Sequence, residues 1–356
     1  MSDYEPNITV IVTVRNRRNT LPRVMNYYSD FPAKVIFLDS TQGFPYNDHA
    51  AAPNEYRHVP GKKYTQKIRE CLETIDTEYC VVVCDDDFLV RGSLDKCITF
   101  LDDNDDYVGC RGQEVALLDD FLSLETIDYL VDQKKPFSSK IAKDRVSRMW
   151  SVFNGANVHN IIRTDVYKKI LDFHKEHTQF DAINIYDKTF SFVLAALGNV
   201  AVLPLFYIVR SNETRATSLK LSEDVEEEIG DWKPEIKFKE HFLLCDTEPL
   251  EELSKCDRGF IEELYTNLCT NKTKDRHLLD VLENNNLGLP FDYVPIIDGY
   301  PLTFRFGPGG DLFGQEGWRK FFTKTKEDIT DLYPVYKQDN IIELYKVVST
   351  VKEFPL

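Results

Sequence analysis

The chain has 356 residues, of which 42% are hydrophobic and 12% aromatic, so it can bury a sizeable core and is not a disordered chain. A formal net charge of −16 excludes a general binder of nucleic acid or anionic membrane, since both need clustered Lys and Arg. Anionic small ligands stay open where a metal or local bases hold them. The 8 cysteines include no C-x-x-C pair and no His at zinc spacing, and they read as small buried hydrophobes of a reducing compartment. With no signal peptide and no apolar run of membrane-spanning length, the expectation is a soluble cytoplasmic protein. Sequons at Asn7, Asn212 and Asn271 then carry little weight.

In chain order, Ile8 to Val14 is a β-branched strand, followed by the loop Arg15-Asn16-Arg17-Arg18-Asn19 and a helix from Thr20 to Ser29. Lys34 to Leu38 is a second strand ending in Asp39, and Tyr56 to Val59 a minor one. A helix from Thr65 to Ile75 carries Ile68, Leu72 and Ile75 on one face. Tyr79 to Cys84 reads as a strand buried on both faces, ending in Asp85, Asp86 and Asp87. Ser93 to Leu101 is helical and Tyr107 to Leu118 is one or two strands.

The middle passes a polar stretch at Lys134–Arg148, Trp150 and Asn154-Gly155-Ala156-Asn157 to a helix near Thr164-Asp165 and another from Asp187 to Leu197. That second helix stops at Gly198-Asn199, a common C-terminal signal. Val200 to Val209 is a strand that Pro204 marks as edge or bulged. A boundary falls near residue 220. It separates a domain of residues 1–220 from a mainly helical extension, 221–356, that buttresses it, faces an acceptor or forms an oligomer contact. The extension opens on an acidic run, Leu221 to Asp231, and later holds an aromatic Gly/Pro stretch, Phe291 to Trp318. Alternation of strand and helix in the first third indicates a doubly wound α/β sheet. Neither the dinucleotide-binding G-x-G-x-x-G nor the P-loop is present.

Ligands of open α/β sheets bind at the carboxyl ends of the strands, where the acidic triplet stands. Three adjacent carboxylates repel one another unless a cation sits among them or water screens them. A hard divalent metal is the simplest such partner, because it takes Asp oxygens and leaves positions for substrate phosphates. A solvated acidic cap before the next helix is the competing reading.

With strand ends carrying Asn16-Arg17, Asp39 and Asp85-Asp86-Asp87 in that order, residues 7–215 resemble the GT-A fold glycosyltransferases, specifically the family-2-like inverting enzymes of bacterial polysaccharide synthesis. The family's Pro-Thr-Tyr-Asn-Arg motif stands here as Thr13-Val14-Arg15-Asn16-Arg17, keeping its last two residues. The resemblance implies a mostly parallel mixed sheet flanked by helices. It implies Asp39 as the contact to the nucleotide base, and the triplet as a form of the D-x-D motif. The three acids allow more than one register: Asp87 is assigned to the metal (Mn²⁺ or Mg²⁺), Asp85 to ribose or metal, and Asp86 to support. Many members place an acid at the start of a helix closed eleven residues later by Gly, and Asp187 to Gly198 keeps that spacing, with Tyr186 in place of a second acid. The resemblance makes Asp187 the catalytic base, with Asp181 as the substitute.

Basic residues that would complete the leaving-group site are Lys67, Arg210 and Arg215, the last two in a polar segment that could form a lid. Each also reads as an ordinary surface base. Trp150 and Asn154 to Asn157 could border an acceptor, although a lone Trp is more often core. His159 reads as a core or edge residue, and His174 with His177 as a polar helix end or a metal pair. The implied activity is transfer from a nucleoside-diphosphate sugar, a UDP-sugar by expectation, to a carbohydrate or lipid-linked hydroxyl, without nucleic acid and with a homo-oligomer left open. The alternatives are a sugar-1-phosphate nucleotidyltransferase, against which the absence of Gly in the 15–19 loop counts, and a catalytically silent sugar-nucleotide or glycan-binding module.

Overall fold

The computed structural model describes residues 7–46, 54–118, 121–124, 138–151, 156–177, 183–211, 247–261 and 303–304, with 343 and 346–347. Within them the strands are β1 (Ile8–Val14), β2 (Lys34–Asp39), β3 (Glu55–His58), β4 (Tyr79–Cys84), β5 (Asp87–Leu89), β6 (Tyr107–Leu118), β7 (Phe121–Leu124), β8 (Ile161–Arg163), β9 (Asn199–Ser211) and β10 (Thr303–Phe304). The helices are α1 (Leu21–Tyr28), α2 (Tyr64–Leu72), α3 (Arg91–Asp102), α4 (Ala142–Ser151), α5 (Thr164–His177), α6 (Ile183–Leu197) and α7 (Thr247–Ser254).

All ten strands join one sheet in the order β10-β7-β6-β8-β4-β1-β2-β3, with β9 beside β6 and β5 beside β9. β1 to β4 are mutually parallel. β8 is antiparallel to both β4 and β6, which sets β6 in the direction of β4, and β9 runs parallel to β6. Only β5, β7 and β8 oppose the rest. The protein is therefore a mixed α/β fold with a mostly parallel sheet, as its sequence pattern indicates. Every residue of β1 is buried, which explains why Ile-Thr-Val-Ile-Val-Thr-Val shows no polar alternation.

The carboxyl end of β4 departs from expectation. The strand stops at Cys84, Asp85 and Asp86 form a turn, and Asp87 opens β5, which runs antiparallel to β9 with Asp87 opposite Arg210. α1 fixes this short strand from the other side. The Tyr28 hydroxyl donates to the Asp87 carbonyl (3.1 Å) and accepts from the Leu89 amide (3.1 Å), while the Tyr27 hydroxyl donates to the Leu89 carbonyl. Edge-on packing of Tyr27 against Phe88, with ring centroids 5.1 Å apart, completes the anchor.

α6 begins at Ile183, a turn earlier than its pattern predicts, so Asp187 lies in its second turn and not at its opening. The helix ends at Leu197 as expected, but Gly198 is needed for proximity. A Cβ there would lie 2.3 Å from Val108 Cγ1 of β6, and Gly198 has no left-handed φ. The last carbonyls of α6 are satisfied from outside: Arg145 on α4 donates from Nε to Ala195 O and from Nη2 to Ala196 O, both at 2.8 Å.

β9 is bulged, and it is interior over its C-terminal half, where β5 and β6 flank it. Arg111 sits opposite Val202 and Gln113 opposite Phe206, so β9 carries extra residues around Pro204. Gly112 faces that bulge. Among the described residues of the C-terminal third, α7 packs on α6 and α4, and β10 extends the sheet by pairing with β7. The expected boundary near 220 and the acidic run at 221–231 lie outside the described residues. No helix of the described residues is long and apolar enough to cross a membrane.

Candidate active site

The loop after β1 and the turn after β4 meet at the carboxyl edge of the sheet. Arg17 Nη1 lies 2.9 Å from Asp85 Oδ1 and 3.0 Å from Asp86 Oδ2, so one guanidinium straddles two adjacent carboxylates. Asp85 gives its other oxygen to the Thr20 hydroxyl at 2.9 Å. That hydroxyl stands at the N-cap of α1 but makes no capping bond to the helix, its one proton shared between Arg17 O (2.7 Å) and Asp85 Oδ2. Asp87 Oδ2 accepts the Cys84 amide at 3.0 Å, and Oδ1 accepts Arg210 Nε at 3.2 Å. His159 donates from Nδ1 to Val82 O (3.0 Å), which turns its Nε2 toward Asp87 Oδ2 at 3.8 Å.

The three acids thus differ. The side chains of Asp85 and Asp87 are 3% and 1% exposed, and each of their carboxylate oxygens already accepts a protein hydrogen bond. Asp86, at 21%, is the open one. Burial opposes the charge of Asp87, but Arg210, His159 and the Cys84 amide together hold its carboxyl below the usual range. Burial, then the charge of Asp87, raises Asp86. Burial pushes Asp85 up to about 7 in spite of Arg17.

Behind Arg210, Glu114 of β6 is buried, with Oε2 3.9 Å from Arg210 Nη1 and Oε1 3.8 Å from Arg111 Nη1. Four carboxylates, Asp85, Asp86, Asp87 and Glu114, face three guanidiniums, Arg17, Arg111 and Arg210. One group among the described residues brings donor atoms within 4.8 Å of one another: Cys84, Asp86 and Asp87. Two carboxylates with a thiol beside them fit a divalent ion in donor chemistry.

Asp187 is half-buried on α6. Tyr186 before it is fully buried, with its hydroxyl 2.9 Å from that of Tyr167 and its ring against Tyr64 (5.4 Å) and His174 (5.4 Å). A phenol stands where a second acid was sought because the position faces a packed aromatic cluster. Tyr64 opens α2, whose Lys67 reaches Val14 O at the end of β1, the strand paired with β4. Burial, followed by the influence of Cys84, Tyr167, Asp187 and Asp87, pushes the Tyr64 phenol well above the ordinary range.

Other residues singled out from the sequence take varied places. Asp39 is buried, with Oδ1 accepting the Thr41 amide (2.8 Å), Oδ2 accepting the Tyr56 hydroxyl (2.7 Å), and Arg18 Nε 3.6 Å from Oδ2. Asn16 adopts φ 57° and donates its amide to Thr41 Oγ1 at 2.8 Å, joining the first loop to the end of β2. Lys67 is buried and turned inward. Its ammonium donates to Val14 O (2.9 Å), Leu38 O (3.2 Å) and Ser40 Oγ (3.2 Å), so three protein acceptors take its three protons. It pins the ends of β1 and β2 together rather than facing a leaving group.

His174 is buried, and burial lowers its pKa to about 4; neither it nor His177 belongs to a metal-ligating group among the described residues. Cys71, Cys80, Cys84, Cys97, Cys110 and Cys256 are free thiols. Asp181, Arg215, Asn154 and Gly155 lie outside the described residues, as does the side chain of Trp150. Thr20, Tyr64, Cys84, Glu114 and the partnership of His159 with Asp87 were not singled out beforehand. Of these only Thr20, an N-cap type directly before Leu21-Pro22, gave a sequence signal, and it pointed to a helix start.

No protein-family model and no curated protein sequence matches the chain. Among solved structures, it aligns with S. aureus TarS residues 1–349 in complex with UDP-GlcNAc at 12% identity and a TM-score of 0.49, over 98% of this chain and 89% of that one. The same TarS fragment in another structure aligns at 14% identity and a TM-score of 0.43, over 82% of this chain and 94% of that one. A further TarS structure aligns at 14% identity and a TM-score of 0.37 over 68% of this chain, which spans only 44% of that one.

Proposed function

We propose that the chain is an inverting glycosyltransferase that moves a sugar from a nucleoside-diphosphate sugar to a hydroxyl of a carbohydrate or lipid-linked acceptor. The observation that carries this reading is an acidic turn with one open carboxylate at the carboxyl edge of the sheet, together with a separate half-buried carboxylate, Asp187, next to the Tyr186 ring on which Tyr64 packs. The diphosphate end of the donor belongs at the turn. Asp86 and Asp87 are the carboxylates suited to hold a divalent cation there, because their donor atoms and that of Cys84 lie within 4.8 Å of one another. Such a cation, when bound, supplies charge neutralisation to the departing diphosphate.

The chain's own residues do the rest. Arg17 keeps Asp85 and Asp86 side by side against their mutual repulsion. Arg210, the Cys84 amide and α1 hold Asp87 rigidly, so little reorganisation accompanies donor binding. Asn16 and Lys67 fix the ends of β1 and β2, where Asp39 would meet the base of the nucleotide. Asp187 accepts the proton of the acceptor hydroxyl as its oxygen attacks the anomeric carbon from the face opposite the diphosphate. The bond from that carbon to the phosphate oxygen breaks, and its electron pair leaves with the diphosphate, so no covalent intermediate with the chain forms.

The test is release of nucleoside diphosphate from a panel of UDP-sugars with Mn²⁺ or Mg²⁺ and candidate acceptors, in wild type, Asp86→Asn and Asp187→Asn. Asp86→Asn should lose cation-dependent donor binding, measured by calorimetry. Asp187→Asn should bind donor as wild type does and lose transfer. Full transfer by Asp187→Asn would overturn its role as base, and binding without turnover in wild type would favour a silent module.

A further inference from the structure

Tyr64 is the first residue of α2, and Lys67, on the next turn of the same face, reaches the ends of β1 and β2; this face therefore looks at the carboxyl edge of the sheet. The ring of Tyr64 is held edge-on by Tyr186 at 5.4 Å, directly before Asp187, and Tyr186 is itself locked by Tyr167 and Phe190. The Tyr64 side chain is only half-buried, and its hydroxyl makes no hydrogen bond among the described residues. A phenol with a rigid ring and an open donor is built to present a proton to an incoming oxygen.

We propose that the Tyr64 hydroxyl donates a hydrogen bond to a ring hydroxyl of the transferring sugar and so selects the sugar of the donor, not its nucleotide. This rests on the functional reading above, which puts the diphosphate at the acidic turn and the base at Asp187. The anomeric carbon must lie between those two, and Tyr64 stands on that path: its ring packs on Tyr186, next to Asp187, and its helix reaches through Lys67 to Val14 O at the end of β1, the strand that pairs with β4.

Tyr64→Phe tests this cleanly, since the ring and its packing on Tyr186 are kept and one oxygen is removed. Binding of UDP and of UDP-glucose, UDP-galactose and UDP-N-acetylglucosamine is measured by calorimetry in wild type and Tyr64→Phe, followed by kcat/KM with the donor that binds best. The variant should bind UDP as wild type does, and should bind the preferred UDP-sugar roughly five- to tenfold more weakly, the loss of one hydrogen bond. Against a series of single-deoxy donors, the deficit should vanish for the analogue that lacks the contacted hydroxyl. Equal loss for UDP and UDP-sugar, no loss for either, or a deficit that persists with every deoxy donor would overturn the assignment. A wild-type chain that binds UDP but none of the sugar nucleotides would overturn it too. Failure to bind any nucleotide would instead remove the functional reading, and this inference with it.

Discussion

Replacing Gly112 with Ala isolates a purely steric demand of the fold. Gly112 lies on β6 where β9 bulges around Pro204, and a Cβ built there would sit 2.3 Å from Leu205 Cδ1, 2.4 Å from the Leu205 carbonyl oxygen and 2.9 Å from Tyr207 Cβ. The leucine methyl can rotate away, but the carbonyl belongs to a paired strand, so β6 and β9 must separate by about 1 Å to restore ordinary contact. Overpacking of this kind costs about 1–3 kcal/mol, and the backbone contact places Gly112→Ala near the upper end. For a unit of this size, about 3 kcal/mol lowers Tm by roughly 6–12 °C. The assay is guanidinium unfolding with a thermal melt, beside Gly43→Ala as a reference. Gly43 is exposed with φ +93° and nothing within 4 Å of its would-be Cβ, so only conformational strain of about 1–2 kcal/mol is added there. A Gly112→Ala variant within about 0.5 kcal/mol of wild type, or one less damaged than Gly43→Ala, would refute the reasoning.

Arg145→Met should destabilise by about 3 kcal/mol, because it strips the carbonyls of Ala195 and Ala196 of their donors beneath the surface; a change of under about 1 kcal/mol in urea unfolding would show that water replaces the guanidinium. Lys67 carries a pH signature: burial lowers its pKa from 10.5 to about 8. Between those values the unfolded chain keeps a proton that the folded one has released, so stability from this group rises with pH across that window, by at most about 3 kcal/mol. The stability difference between wild type and Lys67→Met should therefore shift in favour of wild type from about pH 7.5 to about pH 10, and parallel pH profiles would contradict it. Asp187→Asn and Asp86→Asn should part company, the first losing transfer and keeping donor affinity, the second losing the cation dependence of that affinity, as calorimetry and product release will report.

The strands were legible because the apolar runs Ile8–Val14 and Tyr79–Cys84 are unbroken and end in polar residues, a pattern set by burial on both faces. Pro204 likewise announced the bulge. What the residue order hid was long-range pairing. Asp85, Asp86 and Asp87 look equivalent in sequence, yet Asp87 belongs to a strand whose partner, Arg210, is 123 positions away, and only that pairing separates its role from that of Asp86. Lys67 read as a surface base because nothing local reveals that two strand-end carbonyls and Ser40 would meet its ammonium. Gly198 was placed properly at the helix end, but the reason is Val108, a residue on another element. Tyr64 left no signal at all, since an aromatic residue opening a helix is ordinary until its neighbours in space are known.

From Asp187 to Arg210 the chain runs through helix, a single close-packed glycine and bulged strand without an intervening loop. The two ends of that segment are the proposed base and the partner of Asp87. Outside the bulge around Pro204 such a segment has no slack in which an insertion or deletion can be absorbed, because one added residue would rotate the helix by about 100° or flip the strand face. Length variation among descendants of this sequence should therefore gather outside 187–210, leaving that interval as a fixed-length ruler between proton acceptor and acidic turn.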